Sequence, residues 1–281
     1  MKREKVLITG GAGFIGSNLV ELMLKRGYEI TVVDNLSSTG DDRFLRPLYP
    51  KGSLELRKLD ITKSKALNKL GDYDLLVHLA ANSDVRHGYD NPGKDFSSNI
   101  LGTFNVLEAA RKNDIKELMF SSSSTVFGVA KTLPTPEEYG PLLPISTYGA
   151  SKLAGEAMIS AYSHYYGMKS SIFRFANIVG KNSTHGVIYD FIKKLQRNPG
   201  RLDILGDGTQ SKSYMHVSDC VAAMLFAHSR AKGLEIFNLA NRGTTSVMRI
   251  ADMVIAAMGL KDVEKRLIRT EGGAGWKGDV K

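Results

Sequence analysis

The stretch "VLITGGAGFIGSNLV", residues 6–20, limits the fold more than any other part of this 281-residue chain. Its apolar start reads as a buried strand over Lys5–Thr9, and the spacing after it predicts a helix over Phe14–Arg26. Gly10, Gly13 and Gly16 stand at the junction of the two. Glycines at these points permit a tight turn, close backbone approach to a pyrophosphate, and close helix–strand packing. The free N–H groups of the helix then face the anion. The next strand, Glu29–Asp34, ends in a carboxylate 18 residues beyond Gly16. Such a carboxylate accepts hydrogen bonds from a ribose 2′-hydroxyl and repels a 2′-phosphate, so NAD is expected as cofactor rather than NADP.

The rest of the first 180 residues keeps the same rhythm. Strands are predicted at Leu54–Asp60, Asp74–Ala80, Glu117–Ser122 and Ser170–Ile178, with helices around Asp95–Lys112 and Tyr148–Tyr166. Strands separated by helices imply an α/β fold, a doubly wound parallel (Rossmann) sheet covered on both faces. After Gly180 the pattern loosens. A helix near Val187–Gln196 should stop at Asn198-Pro199-Gly200, followed by a strand Leu202–Leu205 and a turn at Gly206-Asp207-Gly208. A helix Val217–His228, a strand Glu235–Leu239 and a helix Val247–Met258 close the pattern. The expected division is a cofactor domain over 1–178 and a smaller α/β substrate domain over 179–281, with 214–241 returning to the first.

Composition removes several classes of function. A hydrophobic fraction of 42% and a charged fraction of 24% fit a soluble globular chain. The single cysteine, Cys220, excludes an internal disulfide and a cysteine-based zinc site, and no metal is expected. The apolar stretch behind the charged Met1–Lys5 ends at Gly10, too short for a signal peptide core, and no later run could span a membrane. A cytoplasmic location follows as the expectation. The net charge of +9 suits an anionic partner. The basic residues are scattered, without a dense stripe or interleaved aromatics, which favours a phosphorylated ligand over nucleic acid.

Three Tyr-x-x-x-Lys pairs occur: Tyr148/Lys152, Tyr165/Lys169 and Tyr189/Lys193. Tyr165 and Lys169 straddle Gly167, where the helix should end, and Lys193-Lys194 reads as a solvated edge. Tyr148 and Lys152 fall in the first turns of a helix, one turn apart on one face. They follow the strand that runs into "SSSSTVFG", residues 121–128. In a doubly wound sheet ligands sit beyond the carboxyl ends of the strands, so this serine run emerges where a substrate oxygen would lie. A phenol, with a pKa of about 10, is a poor base at neutral pH. A neighbouring ammonium and a positive nicotinamide ring would lower that pKa. Tyr148, Lys152 and a serine of the run therefore suit hydride transfer at an alcohol carbon.

Beyond these residues, "VVDNLSS", the Asp60-Ile61 pair, "VHLAA", "NPGKDFSSNILGTFNVLEAAR", "YGASK", "FRFANIVG" and "GDGTQSKSYMHVSD" extend along nearly the whole chain. Together they resemble the extended short-chain dehydrogenase/reductases, and among them the UDP-galactose (UDP-hexose) 4-epimerases. The resemblance implies that Ser123 is the catalytic serine, with Ser122 the residue most easily confused with it. It implies that Phe14 and Ile15 join the glycines at the pyrophosphate, that Asp34 and Asn35 hold the adenosine ribose, and that Asp60 and Ile61 hold the adenine. Leu79, Ala80, Ala81 and Ser121 would line the cofactor cleft, and Asn99 would lie on the nicotinamide side. Asn177, His185, Val187, Leu205, Lys212 and Arg269 would contact the UDP-sugar, Lys212 replacing an arginine at the cost of its bidentate fork. A homodimer through the helices of Asp95–Lys112 and Tyr148–Tyr166 is implied as well.

Three departures bear on chemistry. Ser83 stands where many relatives carry a lysine that grips the cofactor, which would loosen NAD retention. Ser124, Thr125 and Val126 follow Ser123, where the related dehydratases and decarboxylases need an acidic side chain; the missing acid argues against elimination. Gly275, just before Trp276, takes the place of a bulky residue beside the sugar's C2, so an N-acetyl group should fit. Relatives also continue for another helix or two beyond the equivalent of Lys281. A nucleotide-sugar reductase or dehydrogenase, and a non-catalytic dinucleotide sensor, are the alternative readings; the Tyr148/Lys152 pair argues against the sensor.

Overall fold

The computed structural model describes residues 3–63, 67, 71–83, 88 and 90–268. Seven strands form one parallel sheet: β1 (Lys5–Thr9), β2 (Glu29–Asp34), β3 (Leu54–Lys58), β4 (Leu75–His78), β5 (Glu117–Ser123), β6 (Lys169–Phe175) and β11 (Leu234–Leu239). Their order across the sheet is β11-β6-β5-β4-β1-β2-β3. The chain therefore reverses its winding between β1 and β4, and a crevice opens at the carboxyl ends of those two strands.

The central strands β1, β2 and β4 are buried and largely apolar on both faces, as a sheet covered by helices on each side requires. On one face α1 (Phe14–Lys25) packs Leu19, Val20 and Met23 against Val6, Ile8 and Val32. On the other face lie α2 and α3 (Thr147–Tyr166). The helix α2 runs in three consecutive pieces: an α turn Pro92–Asp95, a π segment Phe96–Leu101 and an α segment Gly102–Lys112. Gly155 lets α3 approach closely, since a Cβ there would meet the Phe120 ring at 2.7 Å.

A third apolar cluster lies apart from the sheet. It joins α4 (Val187–Arg197), β8 (Arg201–Leu205) and α6 (Val247–Ala257) through Phe191, Leu195, Leu202, Ile204, Ile250 and Val254. Between these stand the short strands β7 (Asn177–Val179), β9 (Ser211–Lys212), β10 (Tyr214–His216) and β12 (Thr245–Ser246), with α5 (Val217–Arg230) returning to cover the sheet. The strand β13 (Glu264–Ile268) pairs in parallel with β8.

Two predicted strands differ from the observed ones for local reasons. The segment 170–178 is two strands, because the backbone changes partner at Ala176. The Ala176 N–H bonds Leu239 of the main sheet, whereas that of Asn177 bonds Ser213 of the second lobe. The strand from Leu54 ends at Lys58, because the Asp60 carboxylate captures both the N–H and the hydroxyl of Thr62 and turns the chain.

Candidate active site

The crevice starts at the glycine turn. Gly10 has φ +74°, and a Cβ on it would meet the Ala80 backbone nitrogen at 2.5 Å, so the loops after β1 and β4 touch backbone to backbone. A Cβ on Gly16 would meet the Gly10 carbonyl oxygen at 2.3 Å. Gly13 is different: its Cβ would find only that oxygen, at an ordinary 3.4 Å. The protein's own packing does not require glycine there. Gly13 caps α1 with no side-chain hydrogen bond, which leaves the N–H groups of the first turn, at Phe14 and Ile15, for an anion. These features fit a dinucleotide pyrophosphate.

Asp34 ends β2 with both oxygens engaged, Oδ1 by the Leu36 N–H at 2.8 Å and Oδ2 by the Ala12 N–H at 3.0 Å. Burial raises its pKa, and the two N–H bonds oppose that rise. The Asn35 amide reaches Asp60 at 3.5 Å, so the ends of β2 and β3 are linked beside the glycine turn. The Ile61 carbonyl accepts from Asn105 of α2, and its side chain is buried.

The second half of the crevice is built by α3 and the serine run. Ser146 caps α3, accepting the Gly149 N–H at 3.0 Å, and Gly167 ends it with φ +64°. This cap fixes Tyr148 in the first turn, where its phenol hydrogen-bonds Ser123. The Ser123 hydroxyl accepts the Thr125 N–H at 3.2 Å and so keeps its own proton to donate. Lys152, one turn on, is buried and donates to the Ser121 carbonyl at 2.8 Å. Its nitrogen lies 5.9 Å from the Tyr148 ring centroid and 5.0 Å from that of Phe120. Ser122 points instead at Glu156, which Arg174 holds with two hydrogen bonds.

Burial dominates the ionisation of Tyr148 in the protein without cofactor. Burial pushes its pKa up to about 12, the Ser123 hydrogen bond pulls down, and Asp95 adds to the rise. The Lys152 ammonium, 5.9 Å from the Tyr148 ring centroid, donates to the Ser121 carbonyl rather than to the phenol. Burial also draws Lys152 down to about 8, against the pull of Glu156 and Asp95.

Asn99 lies in the π segment of α2, a distortion frequent at functional sites. Its amide accepts the Asn82 N–H and donates to the Asn82 carbonyl and to Ser151, which in turn donates to the Tyr148 carbonyl. Asn99 thus ties the loop after β4 to the helix of the tyrosine. Asp95 reinforces this, accepting from Asn82 and Thr147 at 2.7 and 2.6 Å. Behind them His78 is buried between the Thr9 and Thr103 hydroxyls, at 2.7 and 3.0 Å, and burial pushes its pKa down to about 3. Sequence reasoning assigned no role to His78, Asn82, Asp95, Ser151, Glu156 or Arg174. Only Glu156 had a local signal, its i, i+4 spacing from Lys152.

Tyr148, Lys152, Ser121, Ser123 and Asn99 thus meet in one bonded cluster. Gly10, Gly13, Gly16, Asp34, Asn35 and Asp60 form another, and Leu79, Ala80 and Ala81 lie between the two. The remaining candidates are spread over the second lobe. Asn177 opens β7 and bonds the Ser213 carbonyl at 3.0 Å, and Lys212 ends β9. His185 precedes α4, Val187 begins it, and Leu205 is exposed at the end of β8. Arg269 and Gly275 lie outside the described residues.

The NAD dependent epimerase/dehydratase family matches residues 6–240. The chain belongs to this family. A UDP-glucose 4-epimerase of Mycolicibacterium smegmatis is 33% identical over 266 residues, 92% of this chain and 84% of the relative. A UDP-galactose 4-epimerase crystal structure is 42% identical and superposes with a TM-score of 0.85, covering 94% of this chain and 86% of that one. A dTDP-glucose 4,6-dehydratase structure from Streptomyces venezuelae, 25% identical, has a TM-score of 0.88 over 99% and 88% of the two chains. The chain is thus an NAD-dependent enzyme of the nucleotide-sugar epimerases, and the fold is shared with dehydratases.

Proposed function

We propose that this enzyme inverts C4 of a UDP-hexose through a transient 4-keto sugar. The observation that carries the reading is the Tyr148–Ser123 hydrogen bond beside the Lys152 ammonium, at the carboxyl edge of the sheet next to the glycine turn. The glycine turn and Asp34 hold NAD, with Asn35, Asp60 and Ile61 at its adenosine end. Bound there, NAD supplies the acceptor and donor of hydride. Tyr148 takes the proton of the C4 hydroxyl and later returns it, while Ser123 donates to the same oxygen. Lys152 has two further N–H protons suited to ribose hydroxyls and opposes positive charge to the developing phenolate. Asn177, His185, Val187, Leu205, Lys212 and Arg269 are assigned to the nucleotide-sugar. Ser124 and Thr125 offer no carboxyl group after Ser123, which favours epimerisation over elimination or decarboxylation.

Two further readings belong to the same proposal. By the resemblance of its segment to the epimerases, Gly275, which lies outside the described residues, is assigned to the sugar's C2 substituent, so UDP-N-acetylglucosamine is expected as a substrate beside UDP-glucose. A homodimer is supported by the apolar outer face of α2, where Phe96, Leu101 and Phe104 are 60%, 40% and 44% exposed. The test is interconversion of UDP-glucose and UDP-galactose, and of their N-acetyl forms, with added NAD. Tyr148→Phe should keep NAD binding and lose about 10²–10⁴-fold in kcat, with Tyr165→Phe and Tyr189→Phe unchanged. Gly275→Tyr should exclude only the acetamido sugar. Turnover near wild type in Tyr148→Phe would sink the assignment of the base.

A further inference from the structure

Directly behind the catalytic cluster lies an ion pair that its own energetics do not explain. Glu156 and Arg174 are only 5% and 3% exposed, and the guanidinium grips both carboxylate oxygens, at 3.0 and 2.7 Å. Arg174 also donates to the Glu137 carbonyl and lies 4.9 Å over the Phe127 ring. Desolvating two charges costs several kcal/mol each, and apolar residues of similar volume often serve stability as well. Three members of this network nonetheless stand beside reacting groups. Ser122, which donates to Glu156 Oε1, stands between Ser121, whose carbonyl holds Lys152, and Ser123, which bonds Tyr148. Glu156 lies one helical turn beyond Lys152 on the buried face of α3. Phe127 closes the short 3₁₀ turn that begins behind Ser123.

We propose that Glu156 is a positioning residue of this active site: it anchors the serine run through Ser122 and places a buried carboxylate one helical turn from the Lys152 side chain. The inference rests on the assignment of Tyr148 and Lys152 made above. Its first part is geometric. Pinning Ser122 to α3 fixes the strand end, and with it the Ser121 carbonyl and the Ser123 hydroxyl, relative to the tyrosine and lysine on that same helix. Its second part is electrostatic. The groups facing Lys152 are Tyr148 and Glu156 on its own helix, Asp95 from α2, His78 from β4 and the Phe120 ring from β5. His78 is neutral at working pH, so Glu156 and Asp95 are the anions that oppose the loss of the proton by burial, Glu156 the stronger of the two. Removing Glu156 leaves Lys152 to deprotonate at lower pH.

The experiment is the pH profile of kcat/KM for wild type, Ser122→Ala, Glu156→Gln and Glu156→Gln/Arg174→Met, each with its thermal unfolding. Glu156→Gln keeps an acceptor for Ser122 but strands the Arg174 charge; the double variant removes both charges and strands neither. The alkaline limb should move to lower pH in both Glu156 variants, with kcat down about tenfold and KM within about twofold. Ser122→Ala should lower kcat several-fold with the limb in place. A folded double variant with a wild-type alkaline limb overturns the electrostatic part, and an unchanged kcat in Ser122→Ala overturns the anchoring. Should neither Glu156 variant fold, the ion pair serves the fold and the electrostatic part is overturned, and Ser122→Ala decides the anchoring. Lys152→Ala separates the two levels: if it retains turnover, the assignment of Lys152 fails, whatever Glu156 does.

Discussion

At the scale of single residues, the phenol of Tyr148 is held in a state that cannot yet take a proton. Burial favours its neutral form, and Ser123 alone pulls toward phenolate. A positive ring placed beside it stabilises the phenolate, so the folded pKa falls when NAD binds. The expected outcome is a Tyr148 titration near pH 12 without cofactor and at clearly lower pH with NAD. Ultraviolet difference titration of wild type against Tyr148→Phe isolates this group from the other ten tyrosines. Equal titration with and without NAD would count against electrostatic activation. The pairing of Tyr148 with Lys152 was legible from spacing and from the helix start at Ser146. That Lys152 turns onto a backbone carbonyl was not, because no sequence pattern reports where a buried ammonium finds its acceptor.

Among the elements, those with strong periodicity were legible, and those defined by partners were not. The sheet strands other than β6, and α1, α3, α4, α5 and α6, fall within a residue or two of their predicted bounds, because their faces are set by local apolar spacing. The π segment of α2 and the two-residue strands β9 and β12 carry no such signal. The buried junction of β1, β4 and α2 through His78 likewise appears only once the fold brings Thr9 and Thr103 to either side of the imidazole. Its folded pKa is depressed to about 3, whereas the unfolded residue titrates near 6.5. The unfolded chain therefore binds more protons between these values, and stability contributed by neutral His78 is lost as pH falls below about 6.5. The slope approaches about 1.4 kcal/mol per pH unit for this one group. Urea unfolding of wild type and His78→Gln between pH 7 and pH 4 measures it. The variant should be less stable at pH 7 yet fall less steeply, and equal slopes would remove His78 as a source of acid lability.

For the molecule as a whole, the order of the sheet decides where chemistry is possible. The reversal between β1 and β4 opens the crevice, and the adjacent β5 delivers the serine run to the same edge. That the serine run leaves the carboxyl edge of a doubly wound sheet was legible in the alternation of strands and helices; the order of the strands was not. Nor was the pairing of the short strands legible, since they meet across long sequence distances, as β10 does with β7. Charge is the remaining whole-molecule property. The chain carries +9, while a UDP-sugar brings a diphosphate and therefore negative charge to the crevice. Exposed charges act on an approaching anion over a Debye length, about 30 Å at 0.01 M salt and about 10 Å at 0.1 M. Capture of substrate should thus weaken with added salt, whereas the proton and hydride steps occur among buried groups that salt screens little. Between about 0.01 and 0.2 M sodium chloride, kcat/KM should fall about three- to tenfold with kcat nearly constant. Steady-state assays at saturating NAD, with sucrose matched for osmolarity as control, separate screening from crowding. If kcat/KM stays level across that range, the excess of basic residues plays no part in drawing the substrate to the crevice.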